Sequence, residues 1–61
     1  MIELSIEIYV KLREKRARKN ITLQKASKEI GISSKTLSLI ENERIDKVKK
    51  SIYQKVIEWL I

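Results

Sequence analysis

The sequence predicts an all-α fold of four helices. Three observations predict it. The chain has no Pro and a single Gly, so the main helix breakers are nearly absent. Lys, Glu, Ile and Leu are abundant and Phe is absent, a composition suited to helices. The apolar residues of the middle and end recur at helical spacing, and Thr22 and Ser33 stand where helix caps belong, on either side of Gly31.

The first ten residues carry two patterns. Ile2, Leu4, Ile6, Ile8 and Val10 alternate with Glu3, Ser5, Glu7 and Tyr9, which is the period of a strand. Leu4, Ile8 and Leu12 also share one helix face. No later stretch reads as a strand partner, and a lone strand is not stable. A helix from about Ser5 is therefore expected, with a strand paired to a second copy as the alternative.

That helix should run to about Lys19 through Lys11, Arg13, Lys15, Arg16, Arg18 and Lys19, opposed only by Glu14. Asn20 suits a left-handed C-terminal cap. Thr22 can cap the second helix, with Leu23, Ala26 and Ile30 facing inward. Gly31 should end it at positive φ, which glycine adopts without steric cost, and Ile32 plugs the turn. Ser33 caps the third helix, about residues 33–42, with Leu37 and Ile40 inward. Ser34, Lys35, Thr36 and Ser38 are left outward, and Leu39 partly so. Arg44 to Lys49 reads as a polar connection with Ile45 and Val48 inside it.

The last helix should begin near Val48 or Lys50 and end at Leu60. Ile52, Val56 and Trp59 form one stripe, and Tyr53, Ile57 and Leu60 a second beside it. Two stripes are more than a small core can cover. Tyr53, Ile57, Leu60 and Ile61 are therefore a candidate dimer face, unless the N-terminal segment covers them.

Sixty-one residues allow one domain, 1–61. Without Cys there is no disulfide framework or thiolate chemistry. Without His or Cys, and without a Gly-rich loop, acid–base, nucleophilic, metal and phosphate-transfer chemistry lack their usual groups. No enzyme activity, metal, cofactor or small-molecule ligand is expected. Glu3 and Glu7 interrupt the apolar start, and no apolar run approaches the ~20 residues of a membrane span. The expected location is cytoplasmic. A net charge of +6 and a pI near 9.8 suit an anionic partner, nucleic acid or a membrane surface. The cations are not segregated on one helix face, which argues against a membrane binder.

The stretch Thr22–Arg44 favours double-stranded DNA. A helix fits the major groove, where each base pair shows a distinct pattern of donors, acceptors and methyl groups. The third helix offers Ser34, Lys35 and Thr36 in its first turn and Ser38 and Leu39 one turn on, as base-reading candidates. Its amino end, at Ser33, presents N–H groups suited to phosphate. The second helix should cross the DNA backbone with Thr22, Gln24, Lys25 and Lys28. Arg44 and Lys49, on the following connection, are further candidate backbone contacts.

This block resembles the helix-turn-helix of phage lambda-type repressors and Cro proteins, the XRE family. The likeness covers roughly Leu12 to Leu60. Leu12, Arg16 and Thr22 fill the family's places for an apolar residue, an Arg four residues later and a Thr or Ser six after that. Ala26 and Ser27 stand at the small pair of the second helix, where Leu-Ala is usual. Gly31, Ile32, Ser33, Leu37, Ser38, Ile40 and Glu41 match in register, and IENER resembles the common ending IENGR.

The resemblance implies a compact lambda repressor-like fold without its fifth helix, encoded by a bacterium or phage. It implies base reading by Ser34, Lys35, Thr36 and Leu39, with Ser38 on base or backbone and Asn42 on a phosphate. It implies a buried ion pair between Arg16 and Glu41. It also implies a homodimer, at least on DNA, that meets two half-sites one helical turn apart. Two positions depart from the pattern. Leu23 replaces a phosphate-binding Gln, and Glu43 replaces the Gly after the third helix, so either Asn42 takes the left-handed turn or that helix ends differently. The rival reading is a helix-turn-helix that binds another regulator, as an antirepressor or antitoxin-like partner would.

Overall fold

The first boundary falls at Ser5, whose extended backbone precedes helix α1, Ile6–Lys19. This is a computed structural model describing residues 1–61. Three more helices follow: α2 (Leu23–Ile30), α3 (Ser34–Glu41) and α4 (Lys50–Leu60). None is long and apolar enough to cross a membrane.

The N-terminal segment corrects one expectation. Ile2–Glu3 is a short strand, β1, and its partner lies in the same chain: Lys47–Val48, β2, just before α4. The two pair antiparallel, with Ile2 opposite Val48 and Glu3 opposite Lys47. So minimal a ladder survives because the core holds both sides of it. Leu4 and Val48 are buried in the cluster that also takes Ile8 and Leu12. The Leu4 N–H donates to the Asp46 carbonyl at 2.7 Å. The Tyr9 hydroxyl donates to the Ile45 carbonyl at 2.8 Å. Burial, reinforced by the carboxylates of Asp46 and Glu43, raises the Tyr9 pKa above the usual phenol value.

Each helix end is set by local chemistry. Thr22 Oγ1 accepts from the Lys25 N–H and Ser33 Oγ from the Thr36 N–H, each satisfying an orphan amide. Asn20 and Gly31 both adopt left-handed backbone, at φ 53 and φ 92. The end of α3 differs from either alternative posed above. Asn42 keeps φ −92, and Glu43 itself takes the left-handed position at φ 55. The Glu43 N–H donates to Ile40 and the Arg44 N–H to Leu39, which is a Schellman closure. Left-handed backbone crowds the Cβ of any L-residue. Glu43→Gly should therefore raise folding stability by about 0.5–1 kcal/mol, the relieved strain less one exposed ion pair. A higher urea midpoint with unchanged slope would show it. An unchanged or lower midpoint would mean that the Glu43 side chain stabilises the turn.

Ten apolar side chains form the core, and Leu12, Leu37, Ile40 and Val56 are its largest fully buried members. They come from α1, α3 and α4. The α2 helix adds Ala26 and Ile30. Packing runs α2 on α3, α1 on α3, and α4 against both α1 and α2. The second stripe of α4, Tyr53, Ile57 and Leu60, is only half-buried at the edge of this core.

Candidate nucleic-acid interface

The Gly31 turn sets the relation of α2 to α3. The N–H groups of Gly31 and Ile32 both donate to the Ser27 carbonyl, at 2.8 and 3.0 Å, so the chain reverses within three residues. Lys55 of α4 braces this turn by donating to the Gly31 carbonyl at 3.2 Å. Ser27 is buried and donates to the Gln24 carbonyl, so its hydroxyl is satisfied within α2.

The underside of α3 is Leu37, Ile40 and Glu41, all buried. This leaves Lys35 exposed, with Ser34, Thr36, Ser38 and Leu39 half-buried around it. Two of these groups already have internal partners. Thr36 Oγ1 accepts from the Ser33 hydroxyl at 2.8 Å, and Asn42 Nδ2 donates to the Ser38 carbonyl at 2.8 Å and to its hydroxyl at 3.3 Å. The Asn42 amide thus ties back the last turn of α3.

On α2, Thr22, Gln24, Lys25 and Lys28 border one surface hollow together with Glu29. Arg44 is exposed beyond the Glu43 turn, and Lys49 is the N-terminal boundary residue of α4, whose side chain caps nothing. Of the residues assigned to the DNA backbone, Gln24, Lys25 and Lys28 lie on α2, Thr22, Ser33, Asn42 and Lys49 at helix ends, and Arg44 in the loop after α3.

Two arginines of α1 hold the far end of α3. Arg16 grips Glu41 bidentately, Nε to Oε2 at 2.8 Å and Nη2 to Oε1 at 2.9 Å, and also donates to the Ile21 carbonyl. Glu41 is only 6% exposed, so this carboxylate depends on its partner. Arg13, one turn earlier on α1, donates to the Glu41 carbonyl at 2.8 Å and reaches the Glu43 carboxylate at 3.3 Å. Nothing in the sequence pattern singled out Arg13, although its spacing from Arg16 puts both on one helix face.

A second network, also missed, secures α4. The Lys15 ammonium donates to the Trp59 carbonyl and lies 4.8 Å from the Trp59 ring centroid. The Trp59 indole donates to Glu29 at 3.1 Å, and Lys19 pairs with the same carboxylate at 3.4 Å. The indole hydrogen bond, helped by Lys19 and Lys25, holds the Glu29 carboxyl below its usual range against the opposing effect of burial. Glu29 is thus engaged by α1 and α4 although it borders the α2 hollow.

Two short crossed helices joined by a glycine turn, the second presenting a polar face, define a helix-turn-helix. A family model described as a helix-turn-helix domain matches residues 11–57. The chain belongs to the helix-turn-helix domain family. Such domains are an architecture of DNA-binding regulators. Neither the curated proteins nor the solved structures offer a match.

Proposed function

We propose that residues 1–61 act as one domain that reads double-stranded DNA in the manner of lambda-type repressors and Cro proteins, as a transcriptional regulator. In this reading α3 enters the major groove by its amino end. Ser34, Lys35, Thr36, Ser38 and Leu39 meet base edges. Thr22, Gln24, Lys25, Lys28, Ser33, Asn42, Arg44 and Lys49 meet phosphates. The observation that carries the reading is the division of α3. Its underside is packed and clamped by Arg13 and Arg16, while its other face offers one free cation among small polar groups. A packed helix that turns a polar face outward is what groove reading requires.

Two variants separate reading from attraction. Lys35→Ala should lose about 1–3 kcal/mol of discrimination at one base position. Lys28→Ala should weaken all sequences evenly and reduce the salt slope by about one. Binding of the preferred site and of a single-base variant, titrated at several salt concentrations, measures both. Unchanged selectivity in Lys35→Ala would refute the proposed docking of α3.

The broader test is selection from random duplexes at about 0.15 M salt. An enriched inverted repeat, with half-sites about ten base pairs apart, would establish sequence reading by a homodimer. A regulator-binding module is the second reading, favoured by Ile6 and Ile61, which are 73% and 91% exposed. Its binding would respond little to salt, whereas DNA affinity falls steeply as salt rises.

A further inference from the structure

Residues 22–44, the segment that presents α2 and α3, hold three carboxylates, Glu29, Glu41 and Glu43, and four cations, Lys25, Lys28, Lys35 and Arg44. Taken alone, the segment is nearly neutral, a poor match for a polyanion. The fold changes that balance. Each carboxylate pairs with a cation of α1: Glu43 with Arg13 at 3.3 Å, Glu41 with Arg16 at 2.8 Å, and Glu29 with Lys19 at 3.4 Å. Arg13, Arg16 and Lys19 stand three residues apart, neighbours along one side of α1. The segment's own four cations take no part in these pairs. Lys25 lies close enough to favour the charge on Glu29, yet the ion pair is made by Lys19.

The Arg16–Glu41 pair belongs to the scaffold, since Glu41 is buried. In the other two pairs each side chain is between 30% and 46% exposed. Both of their carboxylates stand among residues assigned to phosphates. Glu29 borders the α2 hollow with Thr22, Gln24, Lys25 and Lys28. Glu43 lies between Asn42 and Arg44.

We propose that Arg13 and Lys19 are positioning residues for DNA binding, which hold the Glu43 and Glu29 carboxylates back from the phosphates. Only cations of α2, α3 and the following loop then stay unpaired on that surface. The role depends on α2 and α3 meeting DNA as proposed above. Exposed ion pairs such as these add little to stability. Beside DNA they matter more, because a carboxylate freed to turn toward the phosphates meets a dense row of like charges. Both carboxylates have a fixed anchor. The Arg13 guanidinium is itself tied to the Glu41 carbonyl at 2.8 Å, so it draws Glu43 to a set point. Glu29 accepts a second hydrogen bond, from the Trp59 indole of α4, at 3.1 Å.

The intact chain and its variants are to be titrated onto a mixed-sequence duplex of about 20 base pairs in about 0.05 M salt, where phosphate contacts dominate binding. Arg13→Met and Lys19→Met should each weaken binding about three- to fivefold, the upper range for one exposed charge pair. Made together with Glu43→Gln, Arg13→Met should weaken it less than about twofold, because no carboxylate is then freed. Lys19→Met together with Glu29→Gln should behave alike, and glutamine there keeps an acceptor for the Trp59 indole. Loosened packing would lower affinity equally in both backgrounds, so rescue by glutamine separates positioning from a structural role. Equal factors in both backgrounds would show that only net charge or folding is felt, and would overturn the positioning role while leaving DNA reading by α2 and α3 intact. A native chain that binds no duplex would overturn both together.

Discussion

Arg16→Met should cost the fold about 3 kcal/mol, while Arg16→Met combined with Glu41→Leu should recover most of that loss. The asymmetry follows from burial. Arg16 donates two parallel hydrogen bonds to Glu41, a geometry matched to carboxylate. Forming the pair costs desolvation, so its net contribution is small. Removing one partner strands a charge, and Glu41 is nearly excluded from water. The usual cost of stranding a buried charge is about 3–5 kcal/mol, and the lower end applies because Arg16 keeps about a third of its side chain in solvent. Arg13 cannot simply replace it, being engaged with the Glu41 backbone and with Glu43. Urea unfolding of the native chain, the single variant and the double variant closes the cycle. A loss below about 1 kcal/mol in the single variant would mean that the pair behaves as a surface ion pair. Equal losses in the single and double variants would mean that the damage is loss of packing and not a stranded charge.

The parts of this fold that were legible in the sequence are those fixed within a few residues. Asn20 in left-handed backbone, the Thr22 and Ser33 caps and the Gly31 turn each depend on one residue and its nearest backbone neighbours. The β1–β2 ladder was not legible. Alternation was visible from Ile2 to Val10, but a strand of two residues such as Lys47–Val48 has no period to detect. The argument that a lone strand is unstable holds for chains in water. It does not hold for a segment whose Leu4 enters the same core as its partner's Val48. Glu43 was a local misfit whose resolution was not local. The Schellman closure of α3 determines which residue must be left-handed, and Arg13, thirty positions earlier, meets its carboxylate. The Lys15–Trp59–Glu29–Lys19 network escaped for the same reason. Its charges have many sequence partners, and only the α1–α4 crossing chooses among them. The candidate interface inherits this division. Which side chains α3 turns outward could be read from its period, and the Arg16–Glu41 pair from the resemblance, but the part of Arg13 in the clamp could not.

Leu37→Ala should be at least as damaging as the loss of Arg16, costing about 3–5 kcal/mol. Leu37 is fully buried at the centre of the α3 underside, so truncation removes apolar contact and leaves a cavity as well. A domain of this size has roughly 3–9 kcal/mol to lose, at about 0.05–0.15 kcal/mol per residue. A large part of the population should then be unfolded at ordinary temperature. Leu37→Met, which keeps the volume, should cost less than about 1.5 kcal/mol. The consequence for binding distinguishes the two faces of one helix. Lys35 stands two positions away on the exposed side, and its loss should change which sequences are preferred without moving the unfolding midpoint. Loss of Leu37 should lower apparent affinity for every sequence by the same factor, the fraction folded, and leave the order of preference unchanged. DNA should partly rescue the variant by binding only its folded form. Thermal unfolding with and without DNA, alongside titration of two unequal sites, measures all of this. A Leu37→Ala variant that unfolds normally would deny that α3 is packed as described. One that changes the order of preference would mean that packing beneath α3 tunes its register in the groove, so that stability and specificity are coupled through a single buried side chain.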